Sequence, residues 1–189
     1  MKVDPRQAAN HRTLQEVGLP PWYQPGGYDR AWLAAVTLPE TARLRSAFAG
    51  AADPLHTLGT LAPDEVPLQI DTEGRWPEEV QFLNWRWVQA SDAGLAAALG
   101  NALVVAFKDR GVTPEALSSQ VRLTTLVLHP VPHATTPYVG AVFVCDWDEE
   151  HGAGVLLHGT TVLATGDADT GMDLQRALAH RAAMLTGRG

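Results

Sequence analysis

The sequence has few of the features that mark several common protein classes. Its only cysteine is Cys145, which excludes an internal disulfide and a cysteine-rich zinc site. Asp and Glu number 21 against 14 Lys and Arg, for a formal net charge of -7. The chain therefore lacks the basic stripe or cluster by which proteins bind nucleic acids or anionic membranes. Its longest apolar runs, such as residues 102–107, are too short to span a bilayer.

Motifs for catalysis and targeting are scarce as well. The first residues have no apolar core of a secretory signal, so we expect a cytoplasmic protein. The chain has no glycine-rich phosphate loop, no Gly-x-Ser-x-Gly elbow and no His-Glu-x-x-His helix. We therefore lean against an enzyme and expect no cofactor, no nucleic acid and no membrane partner.

Composition and length predict one folded domain preceded by an arm. Hydrophobic residues make up 46% of 189 residues, which is enough for a single core. Residues 1–30 are rich in glycine and proline and predict an irregular arm with one short helix at 5–17. Trp22 and Tyr23 are interpreted as packing this arm onto the body, with an aromatic binding surface as the less favoured alternative. Residues 31–189 are predicted to form the domain.

Three more helices are predicted between the arm and residue 112. Thr37 and Glu40 fit a capping box, which starts a helix running to about Gly50 with Leu44 and Phe48 buried. A second helix opens at Pro77 and is expected to be buried on two sides. One apolar face consists of Val80, Leu83 and Trp87. The adjacent apolar face consists of Phe82, Trp85 and Val88. Ser91 or Asp92 caps a third helix that ends at Gly111 and buries Leu95, Leu99, Leu103 and Phe107.

The apolar period then changes to that of strands. One candidate strand lies at 66–70, and four more follow at 121–129, 138–146, 154–158 and 161–165, with a turn at Gly159-Thr160. A final helix carries Leu174, Leu178 and Leu185 on one stripe. The sequence therefore predicts an α+β fold, with N-terminal helices packed on a mostly antiparallel β-meander and a C-terminal helix.

Acidic residues concentrate in two segments that such a meander would bring to one end of the sheet. Loop 146–153 follows the second meander strand and loop 166–171 follows the fourth, so they share an edge. His151 lies in the first loop, whereas His158 and His180 are expected to face solvent, and the position of His129 is left open. The candidate site residues are Asp146, Trp147, Asp148, Glu149, Glu150, His151, Asp167 and Asp169.

Four interpretations of this cluster stay open. In a structural one, Asp148 or Glu150 caps loop amides, His151 donates to a carbonyl or pairs with a carboxylate, and Gly152 and Gly154 supply positive φ. The carboxylates alternatively form a recognition surface for a basic protein, or a site for Ca²⁺ or Mg²⁺. The least favoured interpretation is catalytic, with His151 as a general base or Cys145 as a nucleophile.

Residues 121–171 also carry a recognisable signature, C-x-W-D-x-E-H-G-x-G-V followed by G-x-A-D. The matching residues are Cys145, Trp147, Asp148, Glu150, His151, Gly152, Gly154, Val155, Gly166, Ala168 and Asp169. This segment resembles an uncharacterised bacterial family, a domain of unknown function. The resemblance implies a small cytoplasmic α+β domain, with no catalytic residues to carry over. Some proteins of this general kind resemble immunity partners of bacterial toxins.

The leading hypothesis is a non-enzymatic interaction protein, in one form an immunity-type inhibitor, that presents the acidic cluster to a basic partner. The net charge of -7 and the absence of a catalytic motif favour it. The alternative is a domain that binds a divalent metal, with metal-dependent hydrolysis as its extreme form.

Overall fold

The computed structural model describes residues 31–45, 61–71, 79–132 and 134–187. The predicted arm at 1–30, its helix at 5–17, and the roles expected of Trp22 and Tyr23 lie outside these residues.

Six strands and six helices are present in the described ranges. The strands are β1 (Ala31–Thr37), β2 (Glu65–Asp71), β3 (Val121–Leu128), β4 (Tyr138–Cys145), β5 (Asp148–His158) and β6 (Thr161–Gly166). The helices are α1 (Pro39–Ala42), α2 (Glu79–Ala90), α3 (Asp92–Phe107), α4 (Leu117–Gln120), α5 (Ala168–Met172) and α6 (Leu174–Leu185). Short 3₁₀ turns follow α1 at Arg43–Arg45 and α3 at Lys108–Arg110.

The strands form one sheet in chain order, from β1 to β6. All neighbours are antiparallel except β2 and β3, which pair in parallel with Leu68 beside Leu126. The α+β class and the C-terminal helix are thus confirmed. No single helix among the described residues is long and apolar enough to cross a membrane. Only when α2 and α3 are taken together, across the 81° bend between them, do their length and composition meet the criteria for a membrane-spanning segment.

β1 was not predicted from the sequence. Its seven residues include three alanines, which form strands poorly by themselves. In the structure Ala34 pairs with Leu68 and Val36 with Val66, and all four side chains are buried in the core. Pairing with the buried strand β2 therefore decides this element.

The start of α1 corrects the predicted capping box. Thr37 ends β1, and the N-cap residue Leu38 offers no side-chain hydrogen bond. The carboxylate of Asp92 instead accepts from the backbone amides of Glu40 and Thr41, at 2.8 and 3.0 Å. Asp92 therefore caps α1 from a distance, while Ser91 is the N-cap of α3 without a side-chain bond. The predicted continuation through 46–50, including Phe48, lies outside the described residues.

The larger core lies between one face of the sheet and helices α2 and α3. In α3, Leu95, Leu99 and Leu103 are fully buried as predicted, and Gly111 ends the following turn with a φ of 82°. In α2 the face of Phe82, Trp85 and Val88 is buried, whereas on the other face Leu83 is 56% exposed and Trp87 is only partly buried against the core. The expectation that α2 is buried on two sides is therefore wrong.

A smaller core lies on the opposite face of the sheet, beneath α6. Its centre is Ala177, which is fully buried against a cluster that includes Tyr138 and Leu156. Leu174 and Leu178 pack at its margin, whereas Leu185 is 71% exposed and does not belong to the predicted stripe. The helix therefore docks through a small residue flanked by two leucines.

Candidate functional site

The first acidic segment is a tight hairpin with a bulge, which corrects the predicted loop 146–153. β5 begins at Asp148, which pairs with Cys145, so only Asp146 and Trp147 form the turn. The next pair along the ladder is Phe143 with Ala153. Between the two pairs the chain advances by two residues in β4 but by five residues in β5. β5 therefore carries three extra residues between these pairs, and such a bulge turns its side chains away from the ladder.

Gly152 makes the bulge possible, with a φ of 61° as predicted. A Cβ atom at this position would also lie 2.3 Å from the carbonyl oxygen of Phe143. Gly154 is not among the glycines with positive φ, so that part of the prediction is wrong. Its lack of a side chain matters for another reason, since a Cβ there would lie 2.3 Å from the carbonyl oxygen of Asp167.

Asp148 holds the bulge closed. Its Oδ1 accepts hydrogen bonds from the backbone amide of His151 at 3.0 Å and from the ring Nδ1 of His151 at 3.1 Å. The backbone hydrogen bond and then the side-chain hydrogen bond lower the pKa of Asp148, with a smaller contribution from Arg110. This is the arrangement that the structural interpretation anticipated for Asp148 and His151.

Trp147 and Asp146 fix the turn to the rest of the fold. The Trp147 ring lies 5.3 Å from the ring of Phe107, centroid to centroid, at the end of α3. The backbone amide of Asp146 donates to the carbonyl oxygen of Gln120 at 3.0 Å. Trp147 thus acts as an anchor, and the side chains of Asp146, Glu149 and Glu150 are all exposed.

The second acidic segment, predicted as a loop, is largely the short helix α5. Gly154 pairs with Gly166, so Asp167 follows directly at the edge where β5 carries its bulge. A Cβ atom at Gly152 would lie 3.8 Å from the Cβ of Ala168. The two acidic segments therefore share one edge of the sheet, and Asp167 and Asp169 are exposed there.

α5 lies directly on the backbone of the sheet. A Cβ at Gly140 would come within 1.7 Å of the carbonyl oxygen of Gly171, and one at Gly171 within 2.5 Å of the carbonyl oxygen of Ala141. The buried side chain of His129 joins this contact through its Nε2, 3.1 Å from the oxygen of Gly171. In the neutral ring that nitrogen donates to the carbonyl. The sequence offered no signal for this role of His129.

The described residues do not assemble a metal site. Across the described ranges, no group of three or more His, Cys, Asp or Glu side chains lies close enough to share a metal ion. The acidic segments meet, but their carboxylates point to solvent and one of them, Asp148, is engaged with His151. The Ca²⁺ or Mg²⁺ hypothesis therefore stays a prediction for experiment.

Cys145 is a buried structural thiol at the base of the hairpin. Its side chain is fully buried, and burial, followed by the nearby charges of Asp146 and Asp148, raises the pKa of its thiol to about 12. The thiolate is the reactive form of cysteine, so this residue is unsuited to nucleophilic catalysis near neutral pH.

A second cluster of titratable groups lies at the other end of the β4–β5 pair. His158 and His180 were expected to face solvent, but both are half-buried there. The Tyr138 hydroxyl lies 2.9 Å from Nδ1 of His180, and the Tyr138 ring is 4.6 Å from the ring of His158, centroid to centroid. Burial, and then the charges of His180 and Arg181, lower the pKa of His158. The periodic pattern of the sequence could not show this contact, because it joins β4, β5 and α6.

One family profile matches part of the chain. The profile described as "Domain of unknown function (DUF6985)" matches residues 104–172, which is about a third of the chain. The match runs from the end of α3 through α5 and includes both acidic segments. No curated protein and no solved structure matches the chain.

Proposed function

We propose that this protein is a non-enzymatic interaction protein whose acidic edge binds a basic partner protein. The acidic edge comprises the exposed carboxylates of the bulged hairpin and of the β6–α5 segment. These are Asp146, Glu149, Glu150, Asp167 and Asp169. The observation that carries the proposal is that all five are exposed on two segments that meet at one edge of the sheet.

The rigidity of the edge supports a recognition role. Trp147 anchors the turn on Phe107, and Asp148 fixes His151 in the bulge. Backbone contacts through Gly154 and Gly171 hold α5 in place. Carboxylates on such a frame need little ordering when they bind, which reduces the entropy cost of association. Complementary charge gives specificity and faster association.

An immunity-type inhibitor is the form of this proposal that the sequence resemblance favours. Such a protein would neutralise a basic toxin by covering its cationic surface. The high pKa of Cys145 and the engagement of Asp148 with His151 support binding over catalysis at this edge. The basic character of the partner is the testable core of the proposal.

The test is a charge-reversal comparison on the full chain. The variant Glu149→Lys with Glu150→Lys reverses two exposed carboxylates of the acidic edge, and neither side chain takes part in the Asp148 bonds. The control, Asp64→Lys with Glu115→Lys, makes the same change in net charge at two exposed positions elsewhere. Proteins captured by the wild type are purified, and their affinity for each variant is measured at rising salt.

We expect a captured basic protein to lose at least about tenfold in affinity with the edge variant and little with the control. Its affinity should also fall as salt rises, because exposed charges are screened. Equal binding by both variants, or a partner that is not basic, would contradict the proposal. Circular dichroism of each variant checks that the fold is retained.

A further inference from the structure

A half-buried histidine pair joins the C-terminal helix to the sheet at the end remote from the acidic edge. His158 lies at the end of β5, and His180 lies on α6, with ring centroids 5.3 Å apart. Tyr138 on β4 contacts both, since its ring packs on His158 and its hydroxyl bonds to His180. We propose that His158, His180 and Tyr138 form a proton-sensitive latch that releases α6 from the sheet on acidification.

The geometry makes a positive charge on His158 unfavourable. The ring is half-buried between the Tyr138 ring and α6, and the charged groups that act on it are His180 and Arg181, both on that helix. β6, the other strand beside β5, contains no titratable side chain. A proton on His158 therefore meets the positive charge of Arg181 and partial desolvation, and β4, β6 and α6 carry no carboxylate to compensate it.

The sign of the effect follows from proton linkage. Burial, followed by the charge interactions with His180 and Arg181, holds the pKa of His158 below the ordinary value of 6.5 in the folded state. The undocked state binds the proton more readily. The contribution of neutral His158 to the docking of α6 is therefore fully present above pH 6.5 and is lost as the pH falls through the pKa of the folded state. The pKa of Tyr138 is raised, mainly by burial, so its hydroxyl stays protonated throughout.

The small contact area of α6 makes it responsive to this charge. Its one fully buried residue is Ala177, and Met184 and Leu185 near its end are exposed. Little apolar surface therefore opposes undocking, in contrast to α3, which buries three leucines completely. Local opening of α6 can consequently occur without loss of the larger core.

The test measures amide hydrogen exchange of the full chain at about pH 7.5 and about pH 5.5, corrected for intrinsic exchange rates. We expect the protection factors of α6 amides to fall several-fold at the lower pH while those of α3 hold. His158→Gln should abolish this difference. His151→Gln is the matched control, because it removes an exposed histidine at the opposite end of the sheet, and it should leave the difference intact.

Equal protection of α6 at both pH values, or a pH effect that survives in His158→Gln, would overturn the latch. If His158→Gln does not fold, NMR titration of the wild-type imidazoles decides the matter. His158 must then titrate below 6.5, in step with the loss of α6 protection. A His158 that titrates at its ordinary pKa would also reject the proposal. None of these outcomes depends on a partner for the acidic edge.

Discussion

The carboxylate of Asp92 accepts a 2.6 Å hydrogen bond from the hydroxyl of Thr41, a residue 51 positions earlier in the chain, and so joins α3 to α1. The same carboxylate accepts hydrogen bonds from two backbone amides at the start of α1. We expect Asp92→Ala to destabilise the protein by about 2 kcal/mol, because a cap and a side-chain bond are lost together. Asp92→Asn should cost less, since its amide oxygen still accepts. Urea unfolding measures both, with the exposed Asp109→Ala as a neutral control.

The glycine contact between α5 and the sheet predicts a strong dependence on residue size. In Gly140→Ala the new methyl would meet the backbone oxygen of Gly171, which has no flexible side chain to move. We expect a loss of about 3 kcal/mol in unfolding free energy, or failure to fold. Gly94→Ala is the control, because its methyl meets only the Thr160 side chain at 3.4 Å and improves helix propensity. A mild effect at Gly140 would show that α5 can lift from the sheet.

Thiol chemistry reports on the base of the hairpin. With its pKa raised to about 12 and its side chain buried, Cys145 should resist a thiol reagent in the native protein near pH 8. In denaturant the same thiol should react at once. The measurement is the time course of the reaction with Ellman's reagent. Rapid modification of the native protein would show that the β4–β5 hairpin opens readily.

The link between Asp148 and His151 predicts a specific acid dependence. Because hydrogen bonds from His151 lower the pKa of Asp148, its contribution to stability is present above the ordinary pKa of 3.8 and is lost as pH falls through the folded pKa. We expect the urea midpoint of the wild type to fall more steeply below pH 3.8 than that of Asp148→Asn. Asp64→Asn, at an exposed site elsewhere, should retain the wild-type slope; a flattened slope there would remove the assignment to Asp148.

Divalent ions test the alternative function directly. Among the described residues no three His, Cys, Asp or Glu side chains lie close enough together to hold one metal ion. Millimolar Ca²⁺, Mg²⁺ or Mn²⁺ should therefore leave the melting temperature unchanged relative to EDTA. Thermal melts with each ion make the measurement. An increase of several degrees that disappears in Asp148→Asn and Asp169→Asn would establish a cation site at the acidic edge and reopen the question of hydrolysis.

Local pattern was sufficient for much of the fold. The four-residue repeat of Leu95, Leu99 and Leu103 predicted α3. Alternation predicted β3, and apolar runs bounded by turn residues predicted β4, β6 and the second half of β5, with the turn at Gly159. Meander geometry also placed the two acidic segments at one edge. These features follow from hydrophobic period and turn chemistry, both of which act between residues close in the chain.

Contacts between distant segments decided the rest. The strand Ala31–Thr37 forms because β2 is available to pair with it, and the cap of α1 comes from Asp92.

By itself, then, the sequence determined the α+β class, the main helices and strands, and a concentration of acid near one hairpin. Only the tertiary structure decided that Asp148 closes a bulge, that glycines seat α5 on the sheet, and that His158, His180 and Tyr138 meet. The physical reason is that burial, close backbone approach and side-chain pairing depend on which segments pack together. A one-dimensional pattern does not contain those distances.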